Sequence, residues 1–147
     1  MGVGAACVSA LAWCSALSCY DIRQRRLPNW LTIPGAVVIL TVAACAGRGT
    51  PAWCGAVALV GLYLVVHLVA PAAMGAGDVK LAAGVGGLTG AFGYDVWVLA
   101  AIGAPLLSAM WALVAVAVVR RPNSSVPHGV SMCTATLAAL ALVVFSP

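Results

Sequence analysis

The sequence predicts an all-α, polytopic integral membrane protein of about six transmembrane helices, and three observations carry that prediction. Of its 147 residues, 64% are hydrophobic and only 7% charged. With a mean hydropathy of +1.12, such a composition cannot cover a water-facing surface. Apolar stretches recur at about the length that crosses a roughly 30 Å hydrocarbon core as helix, and nearly all the charges fall in the short segments between them. A β-barrel would instead alternate apolar and polar residues along each strand. No Gly/Ser linker, charge run or fixed-period repeat divides the chain, so residues 1–147 are read as one transmembrane domain.

The apolar stretches cover residues 2–19, 30–47, 52–73, 79–93, 96–119 and 127–146. The first has no basic residues ahead of it and positive charges after it, so it reads as a retained helix and not as a cleaved secretory signal. The second, third, fifth and sixth are close to spanning length. The fourth, Val79 to Gly93, would rise only about 22 Å as helix, so it is expected to be thin, tilted or partly sunk below the membrane surface. Trp30, Trp53 and Trp97 lie near the ends of stretches, where amphipathic rings favour the interface.

The basic residues orient the chain, because cytoplasmic loops retain Lys and Arg. Arg23, Arg25, Arg26, Lys80, Arg120 and Arg121 all fall on one side of a six-span alternation, and only Arg48 falls on the other. The loops at 20–29, 74–80 and 120–126 are therefore expected to face the cytoplasm from an inner membrane, with both termini outward. The net charge of +4 is juxtamembrane and sparse, which suits anionic lipid and topology and not nucleic acid.

Six cysteines are present, of which Cys7, Cys14, Cys19 and Cys133 fall inside apolar stretches and read as small packing residues. Cys45 and Cys54 flank the short outward loop, and their pairing would depend on its geometry. Neither a CxxC motif nor a Cys/His cluster with zinc spacing occurs, so no metal and no cofactor is expected.

Acids at a membrane are costly, which makes each a functional candidate. There are three. Asp21 closes the first stretch, Asp78 opens the fourth, and Asp95 sits in the outward turn before the fifth. The alternation returns Asp21 and Asp78 to one face after two full spans and leaves Asp95 on the other. Two carboxyls sharing a proton are what amide hydrolysis by aspartates requires, one acting as base on water and one as acid on the scissile carbonyl. A helix N-terminus favours the anion of Asp78 and a helix C-terminus disfavours that of Asp21, so Asp21 is expected to hold the shared proton at rest.

Asp78 stands in Gly75-Ala76-Gly77-Asp78-Val79-Lys80-Leu81 and Asp21 in Asp21-Ile22-Arg23-Gln24-Arg25-Arg26-Leu27-Pro28-Asn29. The plainer reading of the first is a glycine-rich turn ending in a helix-capping Asp, and of the second a basic cytoplasmic loop. The two glycines would also let an extended peptide backbone approach the carboxylate. Together, in this order and topology, the segments resemble the type 4 prepilin peptidase family, in its short form without a methyltransferase domain, as in Flp or tight-adherence pilus systems. Pro127-His128-Gly129 adds a weaker match, in which His128 replaces the aromatic usual in relatives. The resemblance implies a GxGD-type membrane aspartyl endopeptidase with Asp21 and Asp78 catalytic. Its partners would be membrane lipid and a prepilin or pseudopilin precursor, whose leader it cleaves at the cytoplasmic face in type IV pilus assembly and protein secretion. The paired CxxC motifs of the bifunctional members do not occur in this sequence, so cleavage without N-methylation is expected.

Gly75, Gly77 and Lys80 are the candidate substrate-binding residues. Lys80 lies about 200° around the helix from Asp78, so it either positions substrate or snorkels to the interface. His67, inside the third stretch, reads as a hydrogen-bonding residue between helices. Presenilin-type and signal-peptide-peptidase-type proteases also use GxGD with a Tyr-Asp pair, which Tyr20-Asp21 could imitate. They have more spans, consecutive catalytic helices and a Pro-Ala-Leu motif, whereas this chain has Ala104-Pro105-Leu106. The alternative of another class is a non-catalytic membrane scaffold or a transporter subunit, in which the two acids are interfacial caps. A transporter would place its acids near the midplane on broken helices.

Overall fold

A computed structural model describes residues 3–71, 74–119 and 128–144. These residues form six helices, α1 (Val3–Gln24), α2 (Asn29–Cys45), α3 (Gly49–Val69), α4 (Ala76–Phe92), α5 (Tyr94–Val119) and α6 (His128–Val144). No strand occurs among the described residues. The segments Gly4–Gln24, Gly49–Val69 and Tyr94–Ala115 are each long and apolar enough to cross a membrane, and α2 and α6 are shorter apolar helices. Val37, Val57, Leu68, Leu106 and Leu113 all point outward and are more than half exposed, as expected where lipid is the solvent. The protein is therefore an all-α polytopic membrane protein. Arg120, Arg121 and Pro127 lie outside the described residues.

The first helix continues one turn beyond its apolar stretch, so Asp21 lies within α1 and not at its end. What stops the helix is Arg25, whose φ of 50° places it in the left-handed region that commonly closes helices. Its N–H still donates to the Asp21 carbonyl at 2.9 Å. Pro28 then caps α2 in an extended conformation, and its carbonyl accepts the N–H groups of Leu31 and Thr32, both at 3.1 Å.

The fourth helix is short because protein, and not lipid, surrounds it. From Leu81 to Gly90 every residue except Ala83 is buried, with α2, α3, α5 and α6 packed around it. Its closest partner is α3, and glycine makes the approach possible. A Cβ at Gly86 would lie 2.5 Å from the Gly55 carbonyl oxygen, and one at Gly90 would lie 2.6 Å from that of Pro51. Small residues spaced four apart let helix backbones meet in this way within membranes.

Two tryptophans tie this centre to the outer helices. Trp13 of α1 lies over Gly35 and Gly84, and its Nε1–H donates to the Leu31 carbonyl at 3.1 Å. Trp97 donates to the Gly55 carbonyl at 3.0 Å, so it serves as a helix-to-helix tether, whereas its place near a span end suggested an interfacial ring. Trp30 and Trp53 are exposed, at 64% and 57%. At the far end, Arg48 donates to the Ala91 carbonyl at 3.1 Å, satisfying an acceptor in the last turn of α4. This gives a structural reason for the one basic residue on that side. Cys45 and Cys54 are free thiols, and Cys14 and Cys133 are buried in the helix-packing core.

Candidate active site

The two acids of the motif segments meet at one end of the bundle. Asp21 projects from α1 and Asp78 from the first turn of α4, only 7% and 9% exposed, and Asp78 lies within electrostatic reach of Asp21. Asp95 is exposed beyond the opposite end of α4, and the helix between Asp78 and Phe92 alone rises about 21 Å at 1.5 Å per residue. The acid pair and the outlying acid thus separate as the sequence predicts.

Each carboxylate is held through one oxygen by a backbone amide. The Gly75 N–H donates to Asp78 Oδ2 at 3.2 Å and the Asp78 N–H donates to the Gly75 carbonyl at 3.1 Å. Gly75, not Asp78, is therefore the N-cap, and the acid reaches back from the third helical position as in a capping box. The Val130 N–H donates to Asp21 Oδ2 at 3.1 Å. That amide belongs to the first turn of α6, where N–H groups have no partner inside the helix. Asp21 is therefore stabilised by the N-terminus of α6, which offsets the effect expected from the C-terminus of its own helix. The dipole argument for a resting proton on Asp21 is thereby weakened, because a helix N-terminus now supports each acid.

Three residues to which the sequence assigned no role of their own complete the setting. Gly129 admits Asp21, since a Cβ there would lie 2.8 Å from its Oδ2. Leu27 wedges between the two acid-bearing regions, and its side chain would be 3.4 Å from a Cβ at either Gly77 or Gly129. Tyr63 is buried within electrostatic reach of Asp78, and its ring packs against His128 with centroids 5.8 Å apart. The Leu-Pro-Asn ending of the basic loop and the Pro-His-Gly segment were the nearest signals.

The remaining candidates have defined partners. His67 Nδ1–H donates to the Met74 carbonyl at 2.8 Å. The acceptor can only accept, so Nδ1 carries the proton and His67 pins the approach to Gly75. Lys80 Nζ, at the exposed edge of α4, donates to Asn29 Oδ1 at 3.0 Å and ties that helix to the start of α2. Gly75 is exposed, with φ −74° and ψ 151°, a conformation open to any residue. Gly77 is half-buried, and the three atoms nearest to a Cβ there would all belong to Leu27, at ordinary contact distance. The fold itself requires glycine at neither position.

The model of the type IV leader peptidase family matches residues 8–146 of this chain. The chain belongs to that family. Comparison with curated proteins and with solved structures found no match. As a leader peptidase, the protein is a membrane protease, and its family implies prepilin-like substrates. The match takes in α1 from Val8, all of α2 to α5, and α6, so every helix that builds the acid pair lies within it.

Proposed function

We propose that this leader peptidase is an aspartyl endopeptidase of the GxGD type in which Asp21 and Asp78 together cleave the leader of prepilin-like precursors. The observation that carries the reading is the convergence of two buried carboxylates, each with one oxygen fixed by a backbone amide. In this reading the other oxygen of each serves a water or a peptide. In this mechanism the ionised acid removes a proton from a water as its oxygen attacks the scissile carbonyl carbon. The protonated acid delivers its proton to the carbonyl oxygen. Collapse of the resulting gem-diol breaks the C–N bond. The nitrogen takes up a proton from the pair, leaving the leader's new carboxyl and the mature protein's new amine.

The bond is cut at the cytoplasmic face of the inner membrane, and no methyl transfer follows. Arg23, Arg25, Arg26 and Lys80 share the acid pair's end of the bundle while Arg48 lies at the other, which supports that orientation. Gly75 and Gly77 border the path of the extended leader junction, and Lys80, fixed by Asn29, keeps further ammonium protons for the substrate's carbonyls. The apolar helix that follows the junction in a pilin-like precursor lies along the lipid-exposed helices, and anionic headgroups draw in its basic leader.

The deciding experiment is cleavage of a purified pilin-like precursor by the protein reconstituted in lipid. Asp21→Asn and Asp78→Asn keep size and hydrogen bonding but remove the shared proton and the base, so each should abolish processing. Activity of either variant within about tenfold of wild type, about 1.4 kcal/mol in barrier, would show the dyad assignment to be wrong.

A further inference from the structure

His128 opens α6, one residue before the glycine that admits Asp21. Asp21 is within electrostatic reach of its ring, and the ring packs against Tyr63, which is itself within reach of Asp78. One ring nitrogen is accounted for, since Nδ1 lies 2.6 Å from Ser108 Oγ. The other, Nε2, is buried and has no hydrogen-bond partner among the described residues.

The Ser108 contact points to one tautomer, because a proton on Nδ1 would leave both the hydroxyl proton and Nε2 without a partner among the described residues, whereas a proton on Nε2 leaves one group unmet. Helical threonines in this bundle turn their hydroxyls onto the carbonyl four residues back, as Thr89, Thr134 and Thr136 do. Ser108 does not, and its hydroxyl has Nδ1 as its one partner among the described residues. A hydroxyl proton with a single available acceptor goes to that acceptor, so Nδ1 accepts and the ring proton of the neutral histidine sits on Nε2. The result is a buried N–H donor in the neighbourhood of Asp21 with nothing among the described residues to receive it. Such groups are rare because each costs about 1–3 kcal/mol while unmet.

We infer that His128 Nε2–H is a substrate-contacting donor that binds a backbone carbonyl of the precursor next to the scissile bond, with Ser108 as the positioning residue that fixes its tautomer. This rests on the proteolytic reading of Asp21 and Asp78. An extended peptide presents a backbone carbonyl at every residue, and one that parts the side chains covering Nε2 meets a donor that lacks an acceptor. The donor grips a carbonyl that does not react, so it holds ground state and transition state alike, and its loss should appear in KM and not in kcat.

The test is steady-state cleavage of a pilin-like precursor by the lipid-reconstituted protein and its His128→Phe, His128→Gln and Ser108→Ala variants, with thermal unfolding in detergent measured in parallel. Phe keeps a planar ring against Tyr63 without a donor and should raise KM about tenfold with kcat within twofold. Gln restores an N–H and should return KM to within about threefold of wild type. Ser108→Ala frees the tautomer and should fall between the two. Unchanged KM in His128→Phe, a loss confined to kcat, or equal losses in the Phe and Gln variants would each overturn the inference. If wild type cleaves and Asp78→Asn does not, the proteolytic reading survives whichever way His128 behaves. If wild type cleaves no such precursor, that reading fails first.

Discussion

Asp21 on α1 receives the amide of Val130 at 3.1 Å, a contact that joins residues 109 positions apart. Gly129 permits it, because a Cβ there would stand 2.8 Å from the carboxylate oxygen. Seating the acid and starting α6 are thus one structural event. Gly129→Ala should move the first turn of α6 away from Asp21 and reduce precursor cleavage at least tenfold. The displaced partner is the end of a side chain at the rim of the bundle, so the unfolding temperature in detergent should fall by only a few degrees. Cleavage within twofold of wild type would show that the amide does not position Asp21.

The glycine contact between α3 and α4 predicts the opposite pattern, a stability defect some distance from the acids. At Gly86 a Cβ would meet the Gly55 carbonyl at 2.5 Å and the Leu59 Cβ at 2.9 Å, and backbone cannot swing aside as a side chain can. Gly86→Ala should destabilise by about 1–3 kcal/mol, as overpacking of tight cores does. At Gly61, on the same α3, a Cβ would meet nothing within 4 Å, so Gly61→Ala should change stability by no more than about 0.5 kcal/mol. Unfolding of the two variants side by side in detergent checks the pair, and equal stability would show that α3 and α4 are not locked at this point.

Much of this architecture is legible in the sequence because lipid imposes a coarse rule. Each apolar run ends where charge, proline or glycine appears, and six such runs become six helices with ends displaced by a few residues. The end of α1 is the largest displacement. Asp21-Ile22-Arg23-Gln24 reads as loop by hydropathy yet stays helical, because the backbone of Arg25 sets the stop. The central position of α4 was hidden for a different reason, since burial in protein and burial in lipid select similar apolar residues. Its short length and the spacing of Gly86 and Gly90 were the available clues. The acid pair could be found because acids are so few, whereas the roles of Leu27, Tyr63 and Gly129 could not be read, because they arise only when distant helices meet.

Orientation yields a prediction that needs no substrate. In a cysteine-free background, a cysteine at position 24 should be labelled only from the cytoplasmic side and one at position 49 only from outside. Asp95, exposed at the end away from the acid pair, should tolerate Asp95→Asn with unchanged cleavage. Reversed labelling would put the acid pair outside the cell and exclude cleavage at the cytoplasmic face.

Gly77 separates a substrate path from a mere turn. Its backbone is not in the left-handed region, and the atoms nearest to a Cβ would be those of Leu27, at 3.4 Å from its Cβ and 3.6 Å from its Cδ1. Folding therefore places little demand on glycine here, so a requirement for it would come from what passes by. Gly77→Ala should fold as wild type and lose several-fold in cleavage. Gly77→Val, whose branched side chain fills more of the same space and restricts the backbone, should lose at least a hundredfold while keeping its unfolding temperature within a few degrees. The graded loss should appear with precursor and be absent in folding, because only the precursor has to share that space with the added methyl groups. Activity and detergent-resistant folding falling together in both variants would instead make the glycine a requirement of the α3–α4 connection, and the leader would then have to reach Asp78 from another side.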